Sequence, residues 1–544
     1  MNLLDRFLPR VEFDSYRDFQ QNFRIDVPED FDFARDVVDA YARLDPGKRA
    51  LVYANDSGEA RTFSFAEISE LSRQAAAYFA HLGIRSGDRV ITLLRRRWEY
   101  WVVAVALHRM GAVLVPASIQ LTTKDIAYRV DACSAVAVIS IDSDFVLSQT
   151  TALKALCPTL RHLIVVGSGA KGRENFSADF QKYGLFDGYS GGKNSDEMVI
   201  YFTSGTSGYP KMAIHDRTYP LGHIVTARYM QRVSDDGLHL TQADSGWAKF
   251  GWGNIYGQWI AGSAVLGYDP ERFNSSNFLA VMEKYGPTSL CIPPTMYRFL
   301  MRDGLEKRHV QTVRWFATAG EALSGEVNKE FFGITGHYIH EGYGQSEGTP
   351  ITASYEWLKV RPSSMGCPSP LYHVALIHPD GSLCARGETG EVVILQDGPH
   401  RPLGLLAAYY RDGVRTDPIA DGVYHTGDEA YEDEDGFYWY VGRNDDMIKC
   451  SGYRIGPFEI ESVLNTHPAV RESAIVGAPD PVRGQVVCAV VVLREGYEPS
   501  DELTLELQKH VKANTAPYKY PRIVRYVDAL PKTTSGKIIR SAIR

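Results

Sequence analysis

Cysteine is scarce and scattered: seven residues in 544, at 133, 157, 291, 367, 384, 450 and 488, an odd count without a single CxxC pair. That spacing carries neither a disulfide framework nor a zinc site, and it suits a reducing cytosol. Long hydrophobic runs are also missing. The apolar stretch around 101–107 is far too short to cross a bilayer, so no membrane span is expected. The opening MNLLDRFLPRVEFD has acidic residues early and no apolar h-region, which argues against a secretory signal. The same acidity counts against a mitochondrial presequence, so the expectation is a cytoplasmic protein. Nor is there an excess of basic charge: 58 Lys and Arg face 66 Asp and Glu, a net −8 that argues against nucleic-acid partners. A polyanionic ligand would need a local basic pocket. Internal repeats and low-complexity segments are absent. What remains is an ordinary globular composition, 44% hydrophobic and 23% charged, on a chain long enough for about two to four structural units.

The most informative stretch is Tyr201-Phe202-Thr203-Ser204-Gly205-Thr206-Ser207-Gly208-Tyr209-Pro210-Lys211. An apolar run, 198–202, reads as a buried strand that turns into small and hydroxylated residues and then a lysine. Consecutive Gly, Ser and Thr let backbone N–H groups and hydroxyls converge on phosphate oxygens, with Lys211 as a nearby positive charge. It is not the GxxxxGK[ST] loop, because Met212 and Ala213 stand where a metal-binding hydroxyl would be needed. The bland alternative is a Gly/Ser surface loop. A second glycine pattern, GxGxxG at 167–172, lacks a following helix start and an acidic strand end, and reads as a surface turn.

Along the chain, strands and helices alternate. A helix is expected over 33–44. The capping box Ser64-Phe65-Ala66-Glu67 starts another, which ends at Gly83, and a third over 98–110 closes at Gly111. Strands are expected at 112–116, 135–141 and 163–166. The pattern indicates an α/β architecture, mainly parallel, in a large multi-subdomain N-terminal unit. Trp247 and Trp252 lie among glycines and are candidates for a pocket wall, while Trp259 reads as core. Strands at 313–318 and 337–340 lead into Ala319-Gly320-Glu321 and Glu341-Gly342-Tyr343-Gly344-Gln345-Ser346-Glu347. Ligands gather at the carboxyl ends of parallel strands, so these ends suggest one shared nucleotide site, with Glu347 placed to hold Mg²⁺. Asp428, after the Thr426-Gly427 turn, suits a pair of ribose hydroxyls. A polar break at 443–446 separates residues 1–442 from a small α+β unit, 447–544, that ends in a lysine-bearing loop.

These motifs, in this order, resemble those of adenylate-forming enzymes, most closely medium-chain acyl-CoA synthetases. The resemblance covers nearly the whole chain. It implies that residues 203–208 hold phosphates, that Gly320 and Glu321 contact adenine, and that Glu341, Gly342, Tyr343, Gly344 and Gln345 line the nucleotide. It implies that Ser346 stands for the family's usual threonine, that Glu347 binds Mg²⁺, and that Asp428 clamps ribose. Arg443 would reach ribose or phosphates, Asp445 would be the hinge between the two units, and Lys537 would be the lysine that adenylation requires. Ser451, Gly452, Tyr453 and Arg454 resemble the segment along the pantetheine arm, and Arg454, Arg483 and Gln120 would contact CoA. Trp247 matches the family's acyl-pocket aromatic, and Gly344 stands where short-chain enzymes carry a pocket-closing tryptophan. The expected reaction joins a medium-chain, branched or aromatic carboxylic acid to CoA, with ATP, Mg²⁺ and CoA as cofactors. The alternatives are transfer to a carrier protein, a short-chain enzyme, or a non-catalytic binder that kept the fold. The oligomeric state is left open between monomer and homodimer.

Overall fold

The computed structural model describes residues 3–169, 171–203, 210–411, 413–450, 453–481, 483–516, 519–532 and 538–543. Among the described residues, strands form three sheets of thirteen, nine and five strands, flanked by helices. Local signals set the helices. Ser64 accepts from the Glu67 amide while the Glu67 carboxylate takes the Ser64 amide at 2.8 Å. The helix Phe65–His81 then buries Ile68, Leu71, Ala75 and Phe79 before Gly83 turns the chain at φ +79°. The helix Glu99–Met110 is buried along its length and stops at Gly111, φ +69°. The helix expected over 33–44 is present with a π-helical first part, Ala34–Val38, before Asp39–Leu44.

In the largest sheet the strands Arg49–Asn55, Ala264–Asp269, Leu238–Thr241, Ser289–Cys291, Trp315–Ala319 and Ile339–Tyr343 lie side by side and parallel. The other half of that sheet is antiparallel: Ser364–Pro368, Tyr438–Arg443, Val423–Glu432, Thr389–Leu395 and His373–Ile377 follow in space. Tight connections such as 433–437 allow only antiparallel pairing, which is why "mainly parallel" describes one half of the sheet. The nine-stranded sheet has a parallel centre that ends in Glu197–Thr203, followed by Lys211–Asp216 and Ala408–Arg411 pairing antiparallel at its side. Beyond strand His162–Val166 the GxGxxG segment runs into a short strand and the four-residue helix Phe176–Asp179, in keeping with a turn.

The five-stranded sheet comprises Ile448–Cys450, Tyr453–Ile455, Val470–Asp480, Gly484–Leu493 and Ile523–Tyr526. The helices Pro457–Leu464 and Asp501–Asn514 cover it, and a core of its own includes Ile455, Ile460, Leu464, Ile475, Leu507 and Val511. Among the described residues no helix is long and apolar enough to cross a membrane. All seven cysteines are free, and only Cys384 is not buried.

Candidate active site

The nine-stranded and thirteen-stranded sheets meet at the carboxyl ends of Glu197–Thr203 and Ile339–Tyr343. Lys211 begins the strand beside the first, and its ammonium lies 3.9 Å from Glu347 Oε1, just beyond the second. Tyr409 joins them: its hydroxyl donates to Glu347 Oε1 at 3.1 Å, and its ring sits 3.6 Å beneath the Lys211 ammonium. The main chain is fixed as well. Leu406 N–H donates to the Glu347 carbonyl at 2.7 Å, and His215 Nε2–H donates to the Ser346 carbonyl at 2.8 Å. Burial pushes the His215 pKa down to about 4, so the ring is neutral and its tautomer is set by that carbonyl. Burial also lowers the Lys211 pKa, Glu347 opposes this, and nearby Arg443 and Arg411 lower it further. A protein of net charge −8 thus gathers three cations at one place. This is the local basic pocket that a polyanion requires.

A second group surrounds Asp428, on strand Val423–Glu432. Its Oδ2 accepts from the Tyr343 hydroxyl at 2.7 Å and from Gln345 Nε2 at 2.6 Å. Gln345 is oriented in turn by the Thr426 carbonyl at 2.8 Å and by the Tyr424 hydroxyl, which donates to its Oε1 at 2.8 Å. Contacts to Oδ1 are longer, 3.4 Å from the Tyr440 hydroxyl and 3.6 Å from Arg443 Nη1. Two donors fix Oδ2 and orient the carboxylate, which as an acceptor-only group suits a diol. Just beyond Arg443, the Asn444 amide donates to the Gly427 carbonyl at 2.8 Å, so the chain leaves the large sheet beside Asp428.

Strand Ile339–Tyr343 runs further than the sequence indicates and takes in Glu341, Gly342 and Tyr343. Alternation along the strand sends Tyr343 to Asp428 and buries Glu341. The Glu341 Oε1 accepts from the Leu323 amide at 3.2 Å, so its carboxyl holds the 320–323 segment in place. Glu321 is engaged by the Thr295 hydroxyl at 3.0 Å, and the Lys249 ammonium donates to the Ala319 carbonyl at 2.7 Å. Complete burial raises the Glu341 pKa from 4.5 to about 8. A raised carboxyl pKa means the folded state holds a proton that the unfolded chain releases above pH 4.5. Stability from this group is therefore full below about pH 4.5 and falls through the window up to about pH 8, by at most about 1.4 kcal/mol per pH unit. Glu341→Gln, which mimics the protonated form, should flatten the dependence of unfolding free energy on pH between 5 and 8 relative to wild type, as read by urea titration. Parallel pH profiles in the two proteins would count against a neutral Glu341.

Residues 38–402 match the family of AMP-binding enzymes, and residues 459–537 match the AMP-binding enzyme C-terminal domain. The chain belongs to the AMP-binding enzyme family. Acyl-coenzyme A synthetase ACSM3, mitochondrial, of Homo sapiens is 38% identical to this AMP-binding enzyme, over 98% of this chain and 92% of that protein. Acyl-coenzyme A synthetase ACSM5, mitochondrial, also of Homo sapiens, is 40% identical over 95% of this chain and 91% of its own. Among solved structures, the anthranilate CoA ligase AuaEII in complex with anthranoyl-AMP superposes with a TM-score of 0.86 at 25% identity, covering 95% of this chain and 97% of that one. The benzoate CoA ligase of Burkholderia xenovorans LB400 gives 0.81 at 25% identity, covering 94% and 100%.

Trp247 is half-buried at the start of helix Ala248–Asn254, and Trp252 is buried within that helix. Gly344 leaves a space, and the Trp252 indole takes it: a Cβ at 344 would stand 2.5 Å from Trp252 Cη2. Trp259 is fully buried and donates to the Ala50 carbonyl at 3.0 Å, as core. Gln120 is exposed, its backbone N–H donating to Ser118 Oγ at 3.3 Å, and Arg483 is exposed in the turn after Val470–Asp480. Thr203 ends the strand Glu197–Thr203. Ser204, Gly205, Thr206, Ser207, Gly208, Ser451, Gly452 and Lys537 lie outside the described residues, and Tyr453 and Arg454 are described by backbone alone. Tyr409, Tyr424, His215 and Lys249 escaped the sequence reading. Tyr409 lies in a plain strand without a motif, whereas Tyr424, two residues before the Thr426-Gly427-Asp428 turn, and Lys249, the sole cation inside the aromatic stretch, carried usable signals.

Proposed function

We propose that this AMP-binding enzyme is an ATP-dependent acyl-CoA synthetase acting on a medium-chain, branched or aromatic carboxylic acid. The reading is carried by one observation: Lys211 with Glu347, and Asp428 with Arg443, converge where two sheets meet. The names of the relatives and of the structural neighbours, acyl-CoA synthetases and aryl-CoA ligases, support it.

In the first step the substrate carboxylate attacks the α-phosphorus of ATP, the bond to the β-phosphate oxygen breaks, and pyrophosphate leaves. Both reactants are anionic. Lys211, Arg443 and, by the resemblance, Lys537 and the amides of 203–208 offset charge as it moves onto the leaving group. Glu347 fits Mg²⁺ by its chemistry, a hard carboxylate oxygen oriented by Tyr409 and set beside the phosphate side of the site. The ion, when bound, neutralises phosphate charge. In the second step the CoA thiol attacks the acyl carbonyl, its proton is lost, and AMP departs. The small sheet would swing about Asp445 between steps, presenting 451–454 and Arg483 to CoA. Seven free cysteines fit a reducing compartment, which the cytoplasm supplies.

The test measures pyrophosphate and AMP release with Mg²⁺-ATP across acids from acetate to decanoate, branched acids and benzoate, with and without CoA. CoA-linked turnover that peaks at medium, branched or aromatic acids is expected. Pyrophosphate release without CoA-linked turnover would overturn the synthetase reading in favour of an adenylating enzyme that serves a carrier. A peak at acetate or propionate would overturn the pocket. Asp445→Pro restricts the conformation of Asn444 as well as its own, and should slow the thioester step at least tenfold while sparing pyrophosphate release. Equal losses in the two steps would remove Asp445 as the hinge.

A further inference from the structure

Away from the candidate active site, the antiparallel half of the large sheet brings three different metal-ligating side chains together. The strand His373–Ile377 ends just before His378, and Thr389–Leu395 begins just after Glu388, with Ile377 paired opposite Glu391. The connection folds back on itself through backbone bonds: His378 N–H to the Ser382 carbonyl at 2.8 Å, Gly381 N–H to the His378 carbonyl at 2.9 Å, and Cys384 N–H to the Leu376 carbonyl at 2.9 Å. These bonds bring the Cys384 segment back to the strand end at His378, and the Glu388 N–H to the Ala385 carbonyl at 3.1 Å turns the chain at Glu388. His378 Nε2 lies 3.1 Å from Glu388 Oε2, which also accepts the Ala385 amide at 2.7 Å. One ligand atom from each of His378, Cys384 and Glu388 lies within 4.8 Å of the others. A Cβ at residue 390 would overlap Cys384 Sγ, so glycine there is what lets the thiol occupy its position.

We infer that His378, Cys384 and Glu388 form a binding site for a zinc-like divalent cation, apart from the Mg²⁺ position at Glu347. In a tetrahedral zinc centre, bonds of about 2.0–2.3 Å put ligand atoms roughly 3.3–3.8 Å apart. The histidine–glutamate pair is already near that spacing, and the thiol reaches it by a side-chain adjustment of about 1 Å. The Ala385 amide fixes the carboxylate, as outer partners do around metal ligands. A thiol with an imidazole selects zinc over magnesium or calcium, whose preference is for oxygen alone. The carboxylates of Glu388, Glu429 and Asp380 surround Cys384 with negative charge, which favours a cation there. On binding, the S–H proton passes to solvent, the thiolate bonds the metal, and water completes the shell. No redox change is involved. The absence of CxxC in the sequence does not exclude this site, because a hairpin and not a cysteine pair assembles it. Occupancy would brace the strand Thr389–Leu395, whose Glu391 accepts the Gly427 amide at 3.0 Å and whose Val392 carbonyl accepts from the Thr426 hydroxyl at 2.6 Å.

The test uses the full-length enzyme, stripped with chelator and saturated with Mg²⁺-ATP. Added Co²⁺ should produce a near-ultraviolet thiolate-to-cobalt band that Zn²⁺ displaces, and Zn²⁺ alone should raise the melting temperature. Cys384→Ser should abolish the band, and Cys384→Ser and His378→Ala should each bind one equivalent of zinc fewer than wild type. Acyl-CoA formation with Mg²⁺-ATP and no added zinc should be unchanged in both, as the control for folding. If Cys384→Ser does not fold, Glu388→Gln takes its place, with zinc affinity expected to fall at least tenfold. No thiolate band in wild type, or full zinc stoichiometry and affinity in the variants, overturns the site.

Discussion

Replacing Lys537 with alanine should slow adenylate formation by about 10²–10³-fold, the usual cost of one charged or hydrogen-bonding group that acts on a developing anion, while thioester formation from a supplied acyl-adenylate stays within a few-fold of wild type. The reasoning starts from charge. Carboxylate and triphosphate repel, and the barrier falls only where positive charge meets the transition state more closely than the ground state. Lys211 is already held by Glu347 and Tyr409, so it serves the phosphate side of the site. A further cation, on the side of the attacking carboxylate, is assigned by the resemblance to Lys537. The residues on either side of its loop are anchored. Lys532 and Ile538 form a β-bridge, and Arg540 reaches Glu461 at 2.8 Å and Asp446 at 3.4 Å, beside the proposed hinge. Movement about Asp445 would therefore carry Lys532 and residues 538–540 along with the small sheet. The two half-reactions are measured separately, by pyrophosphate exchange and by acyl-CoA formation from synthetic adenylate. Equal loss in both would mean that Lys537 holds the protein together and does not act on one step.

The helices were readable where a cap and an apolar face coincide, as at Ser64–Glu67 and in the buried face of Phe65–His81. The nucleotide residues were readable because phosphate and ribose impose small residues, carboxylates and cations in a fixed order. Other features depend on the meeting of the two sheets. Tyr409 touches Glu347 only because Ala408–Arg411 pairs with Lys211–Asp216, a contact between residues about two hundred positions apart that no local pattern encodes. Glu341 carries a role that its motif did not indicate. Its position in a glycine-rich motif suggested a ligand contact, yet the strand continues through it, and period-two alternation turns its carboxyl inward to Leu323. The short alternating strands and turns of residues 362–440 were readable, and they form the antiparallel half of the large sheet.

The acyl pocket is where structure most alters the expectation. A glycine at 344 in place of a tryptophan suggested open space for a longer acid, but that space holds the edge of Trp252, whose own residue is only 5% exposed. Chain length would then be set by a tryptophan supplied from the helix Ala248–Asn254. Two consequences follow, and they are coupled. Gly344→Ala places a methyl 2.5 Å from Trp252 Cη2 and 2.9 Å from the Thr349 carbonyl, so it should destabilise by about 1–3 kcal/mol and depress turnover on every acid. Trp252→Ala should cost about 3–5 kcal/mol in stability and shift the acid profile toward bulkier chains, because an indole volume opens beside the substrate. Combined, the two should cost less than their sum by about 0.5–3 kcal/mol, since the added methyl then meets only the Thr349 backbone. Urea unfolding measures the first quantity, and the ratio of kcat/KM for octanoate to that for butyrate measures the second. Strict additivity, together with an unchanged acid ratio in Trp252→Ala, would remove Trp252 from the pocket wall and leave it a core residue like Trp259.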